Sequence, residues 1–289
     1  MPNLKVIVFN VEQGFCAFIK SPTGRTLLID CGKTSRFSPI KYVIENELQD
    51  CLDEGIFYFT KFILTHPHGD HLDDIERLIE YPAHIIYRQM GYDWDEVKEA
   101  NSTSGAEKVD TYQAWQEGYV PPVPQIDWGF EIYHDALTPS EAKTLDESKM
   151  VNNSSIPVVI TYRGSEFTEK FLFGGDLEEK GWLELLKRES FKQSINDTDF
   201  FITSHHGHSS GYCKEIFEVM GKPFVNIVSA RGRDKSVESA YSSSDNAIGI
   251  IIGGEKRYML STRNDGSICI EVSPAGKYSL GFEDFSDNL

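Results

Sequence analysis

No stretch of eighteen consecutive apolar residues occurs in the sequence, and none of its five cysteines forms a C-x-x-C pair. The first absence argues against a membrane-spanning helix. Scattered cysteines, odd in number, argue against a disulfide framework and favour a reducing compartment. The apolar run after Met1 is too short and too strand-like for a secretory signal. We therefore expect a soluble, cytoplasmic protein with no membrane partner.

Basic side chains are also scarce. The chain has 28 Lys and Arg against 45 Asp and Glu, which gives a formal net charge of −17. Because Lys and Arg supply the affinity for nucleic-acid phosphates, this composition disfavours long duplex DNA. A local basic surface built from Lys187, Arg188, Lys192 and residues 231–235 would offset the charge. Such residues are more commonly part of an ordinary solvent-exposed face. The net negative charge does not disfavour small or neutral substrates.

Short runs of β-branched and aromatic residues, separated by turns, alternate with segments of helical spacing. Strands are predicted at residues 4–11, 16–20, 26–32, 61–65, 83–88, 130–134, 156–162, 170–176, 224–230, 256–262 and 267–272 and within the segment 199–210, and helices at 38–52, 71–81, 179–191 and 211–221. The last two strands are predicted to form a hairpin about the RNDG turn. Two β-rich halves interleaved with helices indicate a single α/β (α+β) domain over residues 1–289, with sheets inside and helices outside.

Residues 91–130 differ from this pattern, because they are aromatic-rich and polar and end in a proline cluster. They are either a partly helical surface insertion or a lid or substrate wall. We favour the second interpretation, since loops on a rigid scaffold often carry binding residues. The aromatic side chains of this insertion either stack nucleobases or pack against the sheets, and packing is the commoner use: Tyr92, Trp94, Tyr112, Trp115, Tyr119 and Trp128.

The segment ILTHPHGDHLDDIERL, residues 63–78, places three of the eight histidines within six positions after an apolar run. His66 and His68 project to the same side of an extended segment. Asp70 and His71 lie where the next helix is predicted to begin, so the turn directs them to a second point. One segment can thus offer two ligands to each of two centres. Imidazole with carboxylate suits Zn²⁺, Mn²⁺ or Fe.

A metal ion needs three or four ligands, so the set must be completed further along the chain. Asp176 ends the apolar run FLFGGD, and His205 and His206 follow the run FFITS. A solitary Asp after a strand is usually a helix cap. Six of the eight histidines, however, lie in the two strand-end clusters. This distribution favours a metal site formed where loops leave the carboxyl ends of strands.

The H-x-H-x-D-H motif, the strand-end aspartate and the later strand-end histidine resemble the metallo-β-lactamase fold, an αββα four-layer sandwich that carries two metals. The order of the motifs is similar to that of one branch, the soluble hydrolase domain of bacterial DNA-uptake (competence) channel proteins and their free-standing relatives. The matching segments run from about residue 6 to residue 272: NVEQGFCAFI, LLIDCG, THPHGDH, NNSSIPVVITY, FLFGGDLE, TSHHGHSS and STRNDGSICIEV.

The resemblance implies a role for each matching ligand residue. His66 and His68 would hold the first metal, Asp70 and His71 would hold the second, and Asp176 would bridge them. The ions implied are two divalent cations, Zn²⁺ first and Mn²⁺ as the alternative.

Three further roles follow from the same resemblance. His206 aligns as the late ligand of the second metal, because the family places this ligand directly before a glycine. His205 is then available to act on substrate, although the two histidines can exchange roles. Asp30 resembles the buried aspartate that orients the ligand loop, and such carboxylates fix histidine tautomers.

The chain departs from the family pattern at the third ligand of the first metal, for which it has no matching histidine. Asn152 or Asn153 of the Asn-rich segment can approach the metal instead, or water can fill the position. His134 is a weaker candidate, and a structural histidine at a strand end is the better account of it.

Other departures concern the surroundings of the site. Asp73 and Asp74 replace the usual glycine pair, and Phe15 replaces an acidic residue, which changes access to the first metal. His208 stands where a serine is usual, either to contact a leaving group or as a solvated loop residue. His84 begins a strand far from the clusters and is interpreted as structural.

The resemblance implies a metal-dependent hydrolase in which two cations lower the pKa of a shared water to give hydroxide at neutral pH. Asp70 would accept a proton, and His205 or His208 would donate one to the leaving group. The favoured activity is that of a phosphodiesterase or nuclease acting on a small molecule, a nucleotide or nucleic acid. The alternatives are hydrolysis of an ester, thioester or lactone, and a metal-binding interaction module without turnover.

Overall fold

The computed structural model describes residues 2–48, 58–120, 123–231 and 236–283. The strands are β1 Leu4–Val8, β2 Ala17–Lys20, β3 Thr26–Ile29, β4 Phe59–Ile63, β5 Ala83–Tyr87, β6 Glu131–His134, β7 Val158–Arg163, β8 Thr168–Phe173, β9 Phe200–Ile202, β10 Val225–Val228, β11 Ile250–Ile252, β12 Glu255–Arg257, β13 Met259–Ser261, β14 Ser267–Val272 and β15 Tyr278–Glu283. The helices are α1 Pro39–Asn46, α2 Ile75–Glu80, α3 Trp94–Glu99, α4 Thr103–Gln116, α5 Pro139–Leu145, α6 Met150–Asn153, α7 Glu179–Leu185, α8 Glu189–Ile195, α9 Lys214–Met220 and α10 Thr262–Asp265.

The strands form two large mixed sheets. The first has seven strands in the order β15-β14-β1-β2-β3-β4-β5, and the second has six in the order β13-β10-β9-β8-β7-β6. In each sheet an antiparallel part adjoins a parallel part, which is β3-β4-β5 in the first and β8-β9-β10-β13 in the second. Strands β11 and β12 form a separate hairpin.

The two sheets share an apolar core. Alternate residues of β1, namely Leu4, Val6 and Val8, belong to a cluster that also holds Val158 and Phe171 of the second sheet. Successive side chains of a strand point to opposite faces, so these residues mark the inner faces of the sandwich. Packing of the sheets face to face buries both inner faces.

Helices cover the outer faces. Ile7, which points away from the inner core, joins a cluster with helix residues such as Ile40 of α1 and Leu78 of α2. On the other side, Trp182 of α7 packs with Phe201 of β9 at a ring distance of 6.3 Å. The order of layers is therefore helix, sheet, sheet, helix, and the predicted αββα sandwich is confirmed.

The predicted C-terminal hairpin is wrong. Strand β13 pairs in parallel with β10 in the second sheet, whereas β14 pairs antiparallel with β1 in the first. The RNDG segment forms the short helix α10, which ends at Gly266 with φ of 75°. The Asp265 carboxylate accepts hydrogen bonds from Arg257 and from the Ser261 amide, so it stabilises a helical turn that carries the chain between sheets.

All four predicted helices are shorter than expected: α1 ends at Asn46, and α9 spans only Lys214–Met220. Residues 69–71 form a separate 3₁₀ turn before α2, and the predicted helix 179–191 is divided into α7 and α8. Asp74 lies between the turn and α2, where its buried carboxylate accepts hydrogen bonds from Lys33 and Ser38. Residues 49–52 of the predicted helix 38–52 and residues 232–235 of the predicted basic segment lie outside the described residues.

The parallel strands position the polar clusters. Asp30 directly follows β3, and the segment beginning at Thr65 follows the adjacent β4. Asp176 and His205 follow the adjacent strands β8 and β9 of the other sheet. Because adjacent parallel strands end at the same edge, the ligand-bearing loops gather at one end of each sheet. In the described part of the chain, no helix has both the length and the apolar character needed to cross a bilayer.

Candidate metal centre

Six side chains form two groups, each with three ligand atoms that lie within 4.8 Å of one another. The first group consists of His66, His68 and Asp176, and the second consists of Asp70, His71 and His206. These are the six residues that the sequence predicts as metal ligands. Residues separated by more than a hundred positions along the chain are thus brought to one point.

Asp176 lies between the two groups. Its Oδ2 is 3.6 Å from His66 Nε2 and 3.5 Å from His206 Nε2. Its Oδ1 is 3.4 Å from His71 Nε2. The Asp176 amide donates to Ser155 Oγ at 3.1 Å, which holds the residue at the end of the strand. One carboxylate therefore contacts histidines of both groups.

Asp30 orients two of the histidines through hydrogen bonds. It accepts from the Thr65 hydroxyl at 2.7 Å and from His71 Nδ1 at 2.7 Å, both on Oδ2. Because the Thr65 hydroxyl proton is directed at Asp30, its oxygen accepts from His66 Nδ1 at 3.1 Å. Both imidazoles thus hydrogen-bond through Nδ1, which directs Nε2 towards the position that a cation would occupy.

The loop after β9 places two histidines in an unusual backbone conformation. His205 and His206 have φ of 49° and 54°, in the left-handed region that non-glycine residues seldom occupy. The His205 amide donates to Gly175 O at 2.9 Å, so this loop is tied to the loop that carries Asp176. Strained backbone of this kind is concentrated at functional sites.

Burial and neighbouring charges set the protonation of the centre. Burial lowers the pKa of His66 well below its ordinary value. Burial acts in the same direction on His71, but the carboxylates of Asp176 and Asp30 outweigh it and raise the pKa of His71 well above its ordinary value. Burial would raise the pKa of Asp176, but the adjacent imidazoles lower it well below its ordinary value. Asp176 is therefore ionised.

The donor set fits divalent cations. His71 Nε2 is buried and has no hydrogen-bond partner among the described residues, an arrangement that ligation would explain. Neutral imidazole and carboxylate ligands suit both Zn²⁺ and Mn²⁺. A cation bound here would displace the proton of His71, because ligating histidines must be deprotonated. The identity and number of the ions stay predictions.

A cavity of about 480 Å³ opens beside the centre, a volume within the usual range for small-molecule sites. Its lining is mostly polar and includes residues of both ligand groups and of the segment 100–108: Gln13, His68, Gly69, Asp70, Asp73, Ala100, Asn101, Ser102, Gly105, Lys108, Asn152, Asp176, His205 and His206. The predicted insertion at 91–130 thus contributes one side of this cavity through α4 and the turn before it.

Glu178 is a residue that the sequence analysis missed. Its Oε1 accepts a hydrogen bond from Asn152 Nδ2 at 3.1 Å, and it lies 3.5 Å from His205 Nδ1 and 3.4 Å from Lys149 Nζ. His205 Nδ1 also lies 2.9 Å from Ser210 Oγ. His205 is therefore held at Nδ1, on the side opposite to Nε2. Its sequence signal is its place as the last residue of the matched segment FLFGGDLE, two residues after Asp176.

The two asparagines proposed as ligands take different positions. Asn153 Oδ1 accepts from the Glu178 amide at 3.3 Å, at the start of α7. Asn152 donates to Glu178 through Nδ2, whereas its Oδ1 is buried without a hydrogen-bond partner among the described residues. Asn152 lines the cavity, so it stays the candidate for the missing ligand of the first metal.

His208 and Phe15 lie close to the centre in different ways. His208 Nδ1 accepts from the Ser210 amide at 3.1 Å and so caps the turn at 209–211, and it is absent from the described cavity lining. Phe15 is buried and lines a small hollow of about 10 Å³ together with Asp176 and His206.

His134 lies in β6, where its ring packs on Tyr87 at a centroid distance of 3.6 Å. Burial lowers the pKa of His134 to about 4, so the ring is neutral in the sheet. This position agrees with a structural role. His84 lies in β5, as expected of a strand residue.

Most aromatic side chains of the insertion pack inward. Tyr112 is fully buried, and Trp94 and Trp115 pack against the same core. Trp115 and Tyr119 have ring centroids 5.0 Å apart. Among the described residues that line the cavity there is no Phe, Tyr or Trp. The packing interpretation of these aromatics is therefore the one that the structure favours over base stacking.

The basic side chains considered for a polyanion surface are engaged in ion pairs. Lys187 pairs with Glu184 at 2.5 Å, Lys192 pairs with Glu189 at 2.7 Å, and Arg188 pairs with Asp135. These pairs favour the solvated-face interpretation. A closer cation is Lys108, which lines the cavity and pairs with Asp73.

No protein-family model and no curated protein matches the sequence. The structure is similar to the metallo-β-lactamase fold protein YhfI from Bacillus subtilis, with 15% identity, a TM-score of 0.42 and coverage of 79% of this chain and 87% of that chain. It is similar to the isothiocyanate hydrolase from Delia radicum gut bacteria, with 15% identity, a TM-score of 0.45 and coverage of 81% and 87%. A long form RNase Z from yeast matches with 10% identity, a TM-score of 0.42 and coverage of 89% and 41%. At this level of similarity, substrate and activity rest on the chemistry of the site.

Proposed function

We propose that the chain is a metal-dependent hydrolase with a dinuclear centre that cleaves phosphodiesters in a nucleotide, a nucleic acid or another small molecule. One observation carries this proposal. Two groups of three ligand residues lie beside a polar cavity, and Asp176 of the first group also contacts His71 and His206 of the second. Structural metal sites are usually closed by four protein ligands, whereas catalytic sites keep a position open for water or substrate. Two three-residue groups beside a cavity match the second description.

His66, His68 and Asp176 would hold one ion, and Asp70, His71 and His206 would hold the other, with Asp176 in contact with both. Divalent ions bound there would supply Lewis-acid activation of water and of the scissile group. Asp70 lines the cavity and can accept a proton on a carboxylate oxygen. His205, held at Nδ1 by Ser210 and near Glu178, presents Nε2 to the leaving group.

The cavity chemistry supports a phosphodiester over an apolar acyl substrate. Its lining includes the amides of Gln13 and Asn152 and the ammonium of Lys108. These groups can hydrogen-bond the oxygens of an anionic substrate, whereas an apolar acyl chain would desolvate them without compensation. Two cations would also offset the acidic surface for a small anion. The resemblance to the competence-channel branch stays a sequence-based interpretation.

The first test is a substrate panel with protein loaded with Zn²⁺ or Mn²⁺. We expect the wild type to cleave bis-p-nitrophenyl phosphate. Removal of a residue that only hydrogen-bonds to a metal ligand typically lowers activity roughly 10–100-fold. His68→Ala and Asp176→Ala remove ligands themselves, so their activity should fall by more than that. The exposed carboxylate variant Asp95→Ala serves as the matched control and should retain activity.

The same panel separates the alternatives. Turnover of only a p-nitrophenyl ester or a lactone would overturn the phosphodiester proposal and favour the ester, thioester or lactone hydrolase. Stoichiometric metal binding without turnover of any substrate would favour the interaction module.

A further inference from the structure

Asn101, in the turn between α3 and α4, contacts the loop that carries two of the proposed metal ligands. Its Oδ1 accepts from the Gly69 amide at 2.8 Å, and its Nδ2 donates to Pro67 O at 3.1 Å. The same Nδ2 donates to Val97 O in α3 at 2.9 Å. One side chain therefore bonds the main chain on both sides of His68 and ties it to a helix.

The backbones of the loop and of α4 also lie unusually close together. A Cβ atom added to Gly69 would lie 2.4 Å from the Cα of Gly105. A Cβ atom added to Gly105 would lie 2.8 Å from Asn101 Oδ1. The space that seats the Asn101 side chain thus exists because both neighbouring positions lack side chains.

We propose that Asn101 is a positioning residue for metal binding, an inference that rests on the proposed function. Its bonds fix the peptide groups at Pro67 and Gly69, and so fix the direction in which His68 leaves the chain. His68 Nδ1 then lies 3.0 Å from His66 Nε2 within the first ligand group. A preformed arrangement spares the cation the entropy cost of ordering the loop.

The contact also joins the metal centre to the cavity wall. Ala100 and Ser102, the neighbours of Asn101, line the cavity, as does Gly105 in the first turn of α4. Ser102 caps this helix through a hydrogen bond from the Gly105 amide. The wall provided by residues 100–108 and the loop provided by residues 67–71 are thus one hydrogen-bonded unit.

The test uses Co²⁺ as a spectroscopic probe, titrated into the metal-free full chain while visible absorption reports ligand geometry. We expect Asn101→Ala to fold, to bind Co²⁺ about tenfold or more weakly, and to give an altered spectrum, since loss of a residue that orients a ligand costs about 10–100-fold in metal affinity. Thr111→Ala is the matched control, because the Thr111 hydroxyl donates to Glu107 O within the same helix, α4. It should bind Co²⁺ like the wild type.

A second variant keeps the test decisive if Asn101→Ala fails to fold. Gly105→Ala favours the helix by propensity but crowds Asn101 Oδ1, so it should weaken Co²⁺ binding in a folded protein. Wild-type affinity and spectrum in both folded variants, or in Gly105→Ala alone if the first does not fold, would overturn the positioning role. Failure of the wild type to bind Co²⁺ would overturn the proposed function itself.

Discussion

Asp30 has φ of 56°, in the left-handed region, directly after β3. Asp and Asn tolerate this region better than most residues because their short polar side chains can hydrogen-bond locally. The carboxylate accepts from the Thr65 amide and hydroxyl and from His71. Asparagine at this position would keep the backbone and the size while removing the charge.

Asp30→Asn should weaken metal binding more than it perturbs the fold. The Asn side chain has one accepting oxygen, and its other terminal group, NH₂, is a donor. At least one of the three groups that donate to Asp30 would therefore face a donor and lose its hydrogen bond. We expect metal affinity to fall about 10–100-fold and stability to fall by about 1–3 kcal/mol, measured by metal titration and urea denaturation. Asp197→Asn is the control, since Asp197 also has positive φ, at 54°, but is exposed. Unchanged metal affinity in Asp30→Asn would contradict the orienting role.

At the scale of elements, the β1–β2 loop lies directly on the 69–71 turn. Gly14 has φ of 89°, and a Cβ atom there would lie 2.1 Å from Asp70 O. Ser229 donates to Gly14 O at 3.2 Å, so a residue from beyond β10 supports the loop from the other side. The loop can move away from Asp70 only by breaking this contact.

Gly14→Ala should therefore displace the turn that carries Asp70 and His71. Gly91→Ala is a matched control, because Gly91 has φ of 86° and an added Cβ would meet nothing within 4 Å. Both variants should lose about 1–2 kcal/mol from backbone strain. Only Gly14→Ala should lose further stability and Co²⁺ affinity, measured by urea denaturation and metal titration. Equal losses in the two variants would show that the contact with Asp70 is unimportant.

The sequence predicts elements well where the signal is local. The strands around His66 and Asp176 are recognisable as apolar runs that stop at polar residues, and this pattern depends on burial alone. The partners of β13 and β14 could not be predicted in this way, because they depend on distant strands. A turn sequence such as RNDG fits both a hairpin and a one-turn helix, and the choice depends on contacts with Arg257 and with two different sheets.

The candidate ligands could be predicted because they are clustered and chemically distinctive, whereas their supporting residues could not. Thr65, Asn101 and Glu178 are common residue types in ordinary contexts, and only the folded chain brings them to the ligands. The bond from Asn101 to Gly69 spans 32 residues, and no periodicity indicates it.

At the scale of the whole molecule, the proposed ligands join the two sheets. His66, His68, Asp70 and His71 follow a strand of the first sheet, whereas Asp176 and His206 follow strands of the second. A cation held by residues of both would act as a cross-link in the folded state only. Ligands that bind the folded state alone stabilise it by mass action.

Removal of the metal should lower the melting temperature. At a free metal concentration of one hundred times Kd, binding contributes about 2.7 kcal/mol. For a chain of this size, that corresponds to several degrees, at about 2–4 °C per kcal/mol. Calorimetric melting with metal, and after exhaustive chelation, measures the difference. In Asp176→Ala the two melting temperatures should converge, and an equally large metal effect in that variant would contradict the cross-link.

The position of β1 between β2 and β14 has a consequence for synthesis on the ribosome. Leu4 pairs with Val272, so one side of this interior strand has a partner that is made much later during translation. Until residues 267–272 have left the exit tunnel, the backbone N–H and C=O groups on one side of β1 lack their native partner and are open to non-native pairing. The first sheet therefore stays incomplete until nearly all of its other strands have been translated, and such long-range pairing slows folding.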